Sequence, residues 1–265
     1  MIDYYPGKAD MSEQLKTDLQ TVQAARVFFG HQSVGNNIIS GLQQLAQKTG
    51  FDLNIVDLGS IESESQPSGL VHGPIGENRK PVSKCRDFER VIDQQLSDKV
   101  DFALFKFCYI DVNRNTDIDN LFRVYRFTMD QLMDDHPQIR FIHSTIPLRC
   151  SPSTPGVRLK ELVGKLLGKK NNSKLDNFQR NQYNRLLVET YGQSQVVDIA
   201  AAEATGSNGR RESFKMHGVA NSALLEEYSS DGGHLNALGQ RHVAQSFIHQ
   251  LADIIRTSTT EPSAG

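Results

Sequence analysis

Cysteine is scarce in this 265-residue chain, and its placement excludes two kinds of scaffold. Cys85, Cys108 and Cys150 are odd in number and widely spaced, which suits neither a disulfide framework nor a zinc ligand set. They are expected to be free thiols, with Cys108 buried in a strand. Long apolar runs are also missing, and nothing approaches the roughly 20 residues that a membrane-spanning helix needs, so no integral membrane segment is expected. Net charge is small, −2 with a pI near 6.4, which argues against a surface-wide polyanion site and leaves nucleic acid out as an expected partner. Neither Gly-x-x-x-x-Gly-Lys nor Gly-x-Gly-x-x-Gly occurs, so no phosphate-cradling loop is written in the chain. No His-x-x-x-His or Cys-x-x-Cys pair is present either, and no metal or cofactor is expected. Met1 to Gln14 is polar and lacks the basic start and apolar stretch of a secretion signal. The compartment stays open: cytoplasmic as the sequence stands, secreted or periplasmic if a leader was removed.

What is present is an alternation of short buried runs with amphipathic segments. Ala25 to Phe29, Leu53 to Val56, Phe102 to Phe107, Arg140 to Ile146 and Val196 to Ile199 are apolar on consecutive positions, as strands covered on both faces must be. Helical periodicity links Ile38, Ile39, Leu42, Leu45 and Ala46, then Phe88, Val91, Ile92 and Leu96. Further helices are predicted from about Ile118 to Met133, around Tyr183 to Tyr191, and across Leu238, Val243, Phe247, Ile248, Leu251 and Ile255. Alternating strands and helices imply a three-layer α/β/α sandwich around a central parallel sheet of about five strands, flavodoxin-like in type. Functional residues then belong in loops at the carboxyl ends of the strands. Residues 1–256 are read as one domain and 257–265, rich in Ser, Thr, Pro and Gly, as a disordered tail. The stretch 150–176 is too long for an ordinary connection and is read as an insertion, in which Leu159, Leu162, Val163, Leu166 and Leu167 recur at helical spacing beside four lysines. Such a helix packs on the domain surface, or lies over an active site or a membrane.

Two segments carry chemistry. Phe28-Phe29-Gly30-His31-Gln32-Ser33-Val34-Gly35 sits where a buried strand ends and a helix begins. A serine there faces the crevice with its backbone N–H among the unpaired donors of a helix start, ready for an oxyanion, although serine is also an ordinary helix cap. Ser230-Asp231-Gly232-Gly233-His234-Leu235-Asn236 precedes the last helix. Its two glycines favour a turn that directs Asp231 and His234 to one side, where an acid can orient an imidazole; an Asp in a turn beside a packed His is the plainer alternative. Asn236 caps the closing helix in either case.

The order of these blocks resembles the SGNH, or GDSL-like, hydrolase superfamily, from about Val27 to Leu251. The most specific part is Asp231-Gly232-Gly233-His234-Leu235-Asn236-Ala237-Leu238-Gly239, while Gly30-His31-Gln32-Ser33 stands where the family has Gly-Asp-Ser. The resemblance implies Ser33 as nucleophile with His234 and Asp231 as partners. It also implies an oxyanion hole from the Ser33 N–H, from Gly76 with Gly73 as competitor, and from a third donor. Placing the family's Gly-x-Asn-Asp block on Cys108 to Asp111 puts Ile110 where the donor Asn belongs, so Asn113, Lys106 or Asn78 is expected to substitute. Lys106 and Asn113 also have structural uses, at a strand end and in a turn. His31, Asn78, Lys106, Asp111 and His143 are the further candidates for the pocket.

The expected activity is cofactor-free hydrolysis of a small-molecule or carbohydrate ester, releasing a short acyl group such as acetate through an acyl-Ser33 intermediate. An O-acyltransferase on the same triad, a lapsed SGNH-like glycan-binding domain, and a metal-dependent phosphoesterase using the histidines are the alternatives.

Overall fold

The computed structural model describes residues 8–61, 68–151 and 173–260, with side chains from position 12 to 258 within them. In chain order the elements are α1 (Lys8–Ala24), β1 (Arg26–His31), α2 (Val34–Thr49), β2 (Ile55–Asp57), β3 (Gly69–Pro74), α3 (Pro81–Val91), β4 (Phe102–Phe105), α4 (Ile118–Asp135), β5 (Arg140–Ser144), α5 (Ser173–Tyr191), β6 (Val196–Val197), α6 (Ile199–Ala204), β7 (Ser213–Met216), β8 (Val219–Ser222) and α7 (Ala237–Thr260). Six strands form one parallel sheet in the order β2-β3-β1-β4-β5-β6. Without the edge strand β2, the order is that of a flavodoxin-like sheet.

Consecutive apolar residues are required because each strand feeds two cores. Val27 and Phe29 of β1, with Phe102 and Leu104 of β4, pack with α1, α2, α6 and α7 on one face. Phe28, Ala103 and Phe105 pack with α3, α4 and α5 on the other. Successive side chains of a strand alternate between faces, so the same short run supplies both layers. From β1 the chain runs out to β2 and returns to β3 beside β1, then crosses to β4 on the opposite flank. The carboxyl end of β1 therefore lies at the topological switch of the sheet, the place where open α/β folds form crevices.

The expected three-layer sandwich around a parallel sheet is found, and β3 joins the expected strands: Gly69, His72, Gly73 and Pro74 break its apolar run and read as a turn in the sequence. Several finer expectations need correction. Cys108 is buried, but it lies past the end of β4 and leads a short 3-10 turn over Tyr109–Asp111. The run Val196 to Ile199 divides after two strand residues, since the Asp198 carboxylate accepts the Ala201 N–H and starts α6 at Ile199. The tail expected from 257 onward is helical to Thr260: the hydroxyls of Thr257 and Ser258 donate back to carbonyls of Asp253 and Ile254. The end of the expected insertion, Ser173 to Asp176, belongs to α5, and its basic amphipathic segment lies outside the described residues. Polar α1 and the β7–β8 hairpin, turned by His217 (φ 50°) and Gly218 (φ 78°), had no clear periodic signal.

Helices α2 and α7 set the position of everything at the sheet's carboxyl end on that face. Their backbones meet at Gly41, where an added Cβ would lie 2.2 Å from the Gln240 carbonyl oxygen and 2.6 Å from the Ala244 Cβ. Gly41→Ala is therefore expected to force the helices apart and to lower stability by about 1–3 kcal/mol. Denaturant unfolding measures this, and an unchanged midpoint would show that the helices do not pack at this distance.

Candidate functional site

Ser33 follows β1 by two residues and precedes α2, with φ 54° and ψ −109°. That backbone is strained for any residue with a Cβ, and it persists only where the surroundings over-determine it. Ser33 makes no side-chain cap to α2, so the ordinary explanation for a serine at a helix start does not account for it. Its Oγ instead lies 2.9 Å from His234 Nε2. Neighbours on both sides hold the bend. The Gln32 side-chain amide donates to the carbonyls of Ile75 (2.9 Å) and Gly76, and a Cβ on Gly35 would come within 2.4 Å of the His31 ring. Glycine at 35 thus allows the first turn of α2 to close over His31.

The partner arrives on the turn before α7. Gly232, at φ 81°, folds the chain so that Asp231 Oδ1 accepts the backbone N–H groups of Gly233 (2.9 Å) and His234 (2.8 Å) while Asp231 Oδ2 meets His234 Nδ1 at 2.6 Å. Ser229 ties the turn from inside, its hydroxyl donating to the His234 carbonyl at 2.6 Å and accepting the Gly232 N–H at 2.9 Å. Burial alone would raise the Asp231 carboxyl; the His234 ring, the two backbone N–H groups and the imidazole charge outweigh it and hold the acid below the usual carboxylate range. Asn236 caps α7 through the N–H groups of Leu238 and Gly239. Asn37 of α2 accepts the Leu235 N–H at 3.0 Å and so links the two segments directly.

The other expected residues lie elsewhere. Gly76 is not positioned as an oxyanion donor, because its N–H is taken by Asp87 Oδ2 at 2.7 Å, and Gly73 lies inside β3 opposite Gly30. Asn113 serves a turn, its side-chain oxygen accepting the Asn115 N–H at 2.9 Å. His31 is buried beneath the elbow with Nε2 3.1 Å from His72 Nδ1; burial first, then the Lys106 charge and His72, push it down to about 2, so it stays neutral. His143 is in the core, hydrogen-bonded to Tyr125 at 2.8 Å and stacked on Tyr191, and does not open to a crevice.

Lys106, Asp111 and Asn78 belong to one polar network beneath the elbow. Fully buried Lys84 donates to Asp111 Oδ2 (2.6 Å), Asn78 Oδ1 (3.0 Å) and Cys108 Sγ (3.2 Å). Asp111 also accepts the N–H groups of Cys108 and Arg79. Lys106 Nζ lies 3.4 Å from Cys108 Sγ and donates to the Gln32 carbonyl at 2.8 Å. None of these side chains is directed at Ser33 Oγ. Sequence reasoning missed Lys84, Asn37 and Tyr109. The Tyr109 hydroxyl is 3.4 Å from His234 Nε2, and Arg149 lies over its ring while donating to the carbonyls of Gly232 and Asp231. A tyrosine adjoining Cys108 was in view, but only the fold brings it to a histidine 125 positions away. Among the described residues one group could share a cation, Asp18, His249 and Asp253, and Arg256 already bridges both carboxylates there.

No protein-family model matches the chain, and no curated protein sequence matches it. Among solved structures it is similar to a protein assigned to the G-D-S-L lipolytic family from Desulfitobacterium hafniense DCB-2, at 10% identity over 85% of this chain and 99% of that one, with a TM-score of 0.46. The periplasmic domain of the lipopolysaccharide acetyltransferase of Salmonella ser. Paratyphi A is 12% identical over 89% of this chain and 95% of its own, with a TM-score of 0.43. The C-terminal domain of the Drosophila Oskar protein is 12% identical over 84% and 86%, with a TM-score of 0.42.

The strain at position 33 is measurable. Ser33→Gly is expected to be more stable than Ser33→Ala by about 1 kcal/mol or more, because glycine relieves the positive φ by more than its extra unfolded-state entropy takes away. Equal unfolding midpoints for the two variants would mean that the elbow is not held in this conformation.

Proposed function

We propose that the chain is a serine ester hydrolase in which Ser33 is the nucleophile, His234 the general base and acid, and Asp231 the group that orients the imidazole. The observation that carries this is the unbroken relay of 2.9 Å from Ser33 Oγ to His234 Nε2 and 2.6 Å from His234 Nδ1 to Asp231 Oδ2, on a strained elbow at the switch point of the sheet. Asp231, held ionised, accepts a hydrogen bond from the Nδ1–H of His234, which fixes the tautomer with the lone pair of Nε2 toward the serine. As Ser33 Oγ attacks the acyl carbonyl, its proton passes to Nε2. The tetrahedral oxyanion is met by the Ser33 backbone N–H, and its collapse expels the alcohol, which takes the proton from Nε2. Water then repeats the sequence on the acyl-Ser33 ester. Tyr109, beside Nε2, flanks the crevice where the alcohol leaves.

Resemblance of the Asp231–Gly239 block to SGNH hydrolases supports an acyl ester of a small molecule or carbohydrate, with a short acyl group such as acetyl, as the substrate class. A sugar hydroxyl in place of water turns the same relay into an O-acyltransferase, and dependence of product on an added acceptor separates the two.

A panel of acyl esters tests the proposal. Ser33→Ala and His234→Ala are each expected to lower kcat/KM by about 1,000-fold or more, with chelator leaving the wild type unaffected. Hydrolysis that survives both substitutions would remove the triad, loss with chelator would point to a metal-dependent phosphoesterase, and a wild type inert toward every ester would point to a binding domain.

A further inference from the structure

The relay accounts for the nucleophile but leaves the oxyanion side thin, since the N–H of Gly76 is occupied and the family's donor Asn is replaced by Ile110. Beneath the elbow, however, lies a cation that the triad does not use. Lys106 is fully buried, and among the described residues no carboxylate lies within ion-pairing distance of it. Its closest contact is the carbonyl oxygen of Gln32, at 2.8 Å, with the Phe107 carbonyl and Cys108 Sγ farther off. Burying an ammonium costs several kcal/mol even after relaxation, so its retention with mainly carbonyl partners calls for a use.

The Gln32 carbonyl belongs to the same peptide unit as the Ser33 N–H. The bond is trans, since the described chain holds no cis peptide, and a planar trans peptide directs its N–H opposite to its C=O. Anchoring the oxygen downward on Lys106 therefore aims the Ser33 N–H upward, to the side from which an acyl carbonyl must approach Oγ. No described group accepts that N–H. An ammonium on the oxygen also draws electron density through the amide, which makes the N–H a stronger donor, and this polarisation is larger in a low-dielectric surrounding. The surroundings hold the unit as well: the Gln32 side-chain amide donates to the carbonyls of Ile75 and Gly76, and the Gln32 backbone oxygen also accepts the Gly35 N–H at 3.1 Å and is reached by Cys108 Sγ at 3.4 Å, Lys106 being the one charged partner of that oxygen among the described residues.

We propose that Lys106 is a positioning residue for the ester-hydrolase reaction: by binding the Gln32 carbonyl it orients and strengthens the Ser33 N–H as oxyanion donor, doing from below what the missing Asn does from within the site. This rests on the hydrolase reading above. It differs from the sequence expectation, in which the ammonium itself would reach the oxyanion.

The test is the split between kcat and KM for hydrolysis of p-nitrophenyl acetate by Lys106→Met, with thermal unfolding to establish the folded fraction. The kcat per folded molecule should fall at least about tenfold while KM stays within threefold, because the donor matters where charge develops. Lys106→Gln keeps a donor for the Gln32 oxygen but loses the charge, so its kcat should fall by more than threefold yet less than that of Lys106→Met; it also carries the test should Lys106→Met not fold. A kcat within threefold of wild type in folded Lys106→Gln or Lys106→Met, or a change confined to the unfolding temperature, overturns the proposal while leaving the triad intact. Absence of any Ser33-dependent hydrolysis in the wild type overturns the parent reading and this one together.

Discussion

The contact between Ser33 Oγ and His234 Nε2 joins residues 201 positions apart, and the rest of the architecture can be understood as what holds it. Ser33 is delivered by the end of β1 and the strained turn into α2. His234 is delivered by a glycine turn ahead of α7. Their separation is then set by how closely those two helices pack, and that depends on Gly41 leaving room for the Gln240 carbonyl. Asn37, reaching from α2 to the Leu235 N–H, adds a polar link beside the apolar one. In the proposed hydrolase reaction a displacement of about 1 Å at this contact would cost roughly a hundredfold in rate, so remote packing would be part of the chemistry.

Two electrostatic layers surround the contact and behave differently. Above it, Asp231 and His234 are about half exposed, at 56% and 49% of their side-chain surface, so their pairing is screened by solvent and its value lies in orientation more than in stability. Below it, the Lys84–Asp111 pair is fully excluded from solvent and every member of its network has a partner. Removing one side of such a pair typically costs about 3–5 kcal/mol, which couples the backbone under the elbow to the stability of the fold. Lys106 stands between the layers, joined to the network through Cys108 and to the peptide unit of Ser33 through the Gln32 carbonyl. Burial, the largest influence, pushes its ammonium below the usual lysine range, while Cys108 and Asp111 pull the other way.

Strands β1, β4 and β5 were legible in the sequence because burial on both faces leaves an unmistakable apolar run, and the helices α2, α4 and α7 because their stripes face those strands. β3 was not, since its glycines and proline serve close approach to neighbours: a Cβ on Gly73 would meet Leu58 at 2.7 Å. Ser33, Asp231 and His234 could be nominated from strand-to-turn placement and from the glycine turn, which are local features. Gly76 and Asn113 could not be judged without the acceptors that occupy them, Asp87 in one case and a local turn in the other. The same holds for Lys106. A lysine in a strand-like run reads as a snorkelling surface residue, and only the sheet register, which sets Phe105 beside Gly30, puts its ammonium under the elbow.

Whether the serine hydroxyl is activated by this contact is tested most directly by reacting the chain with a fluorophosphonate and mapping the adduct by peptide mass. The account predicts one adduct per chain, on Ser33, abolished by His234→Ala. An unmodified wild type, or an adduct on another side chain while Ser33 stays free, would contradict it.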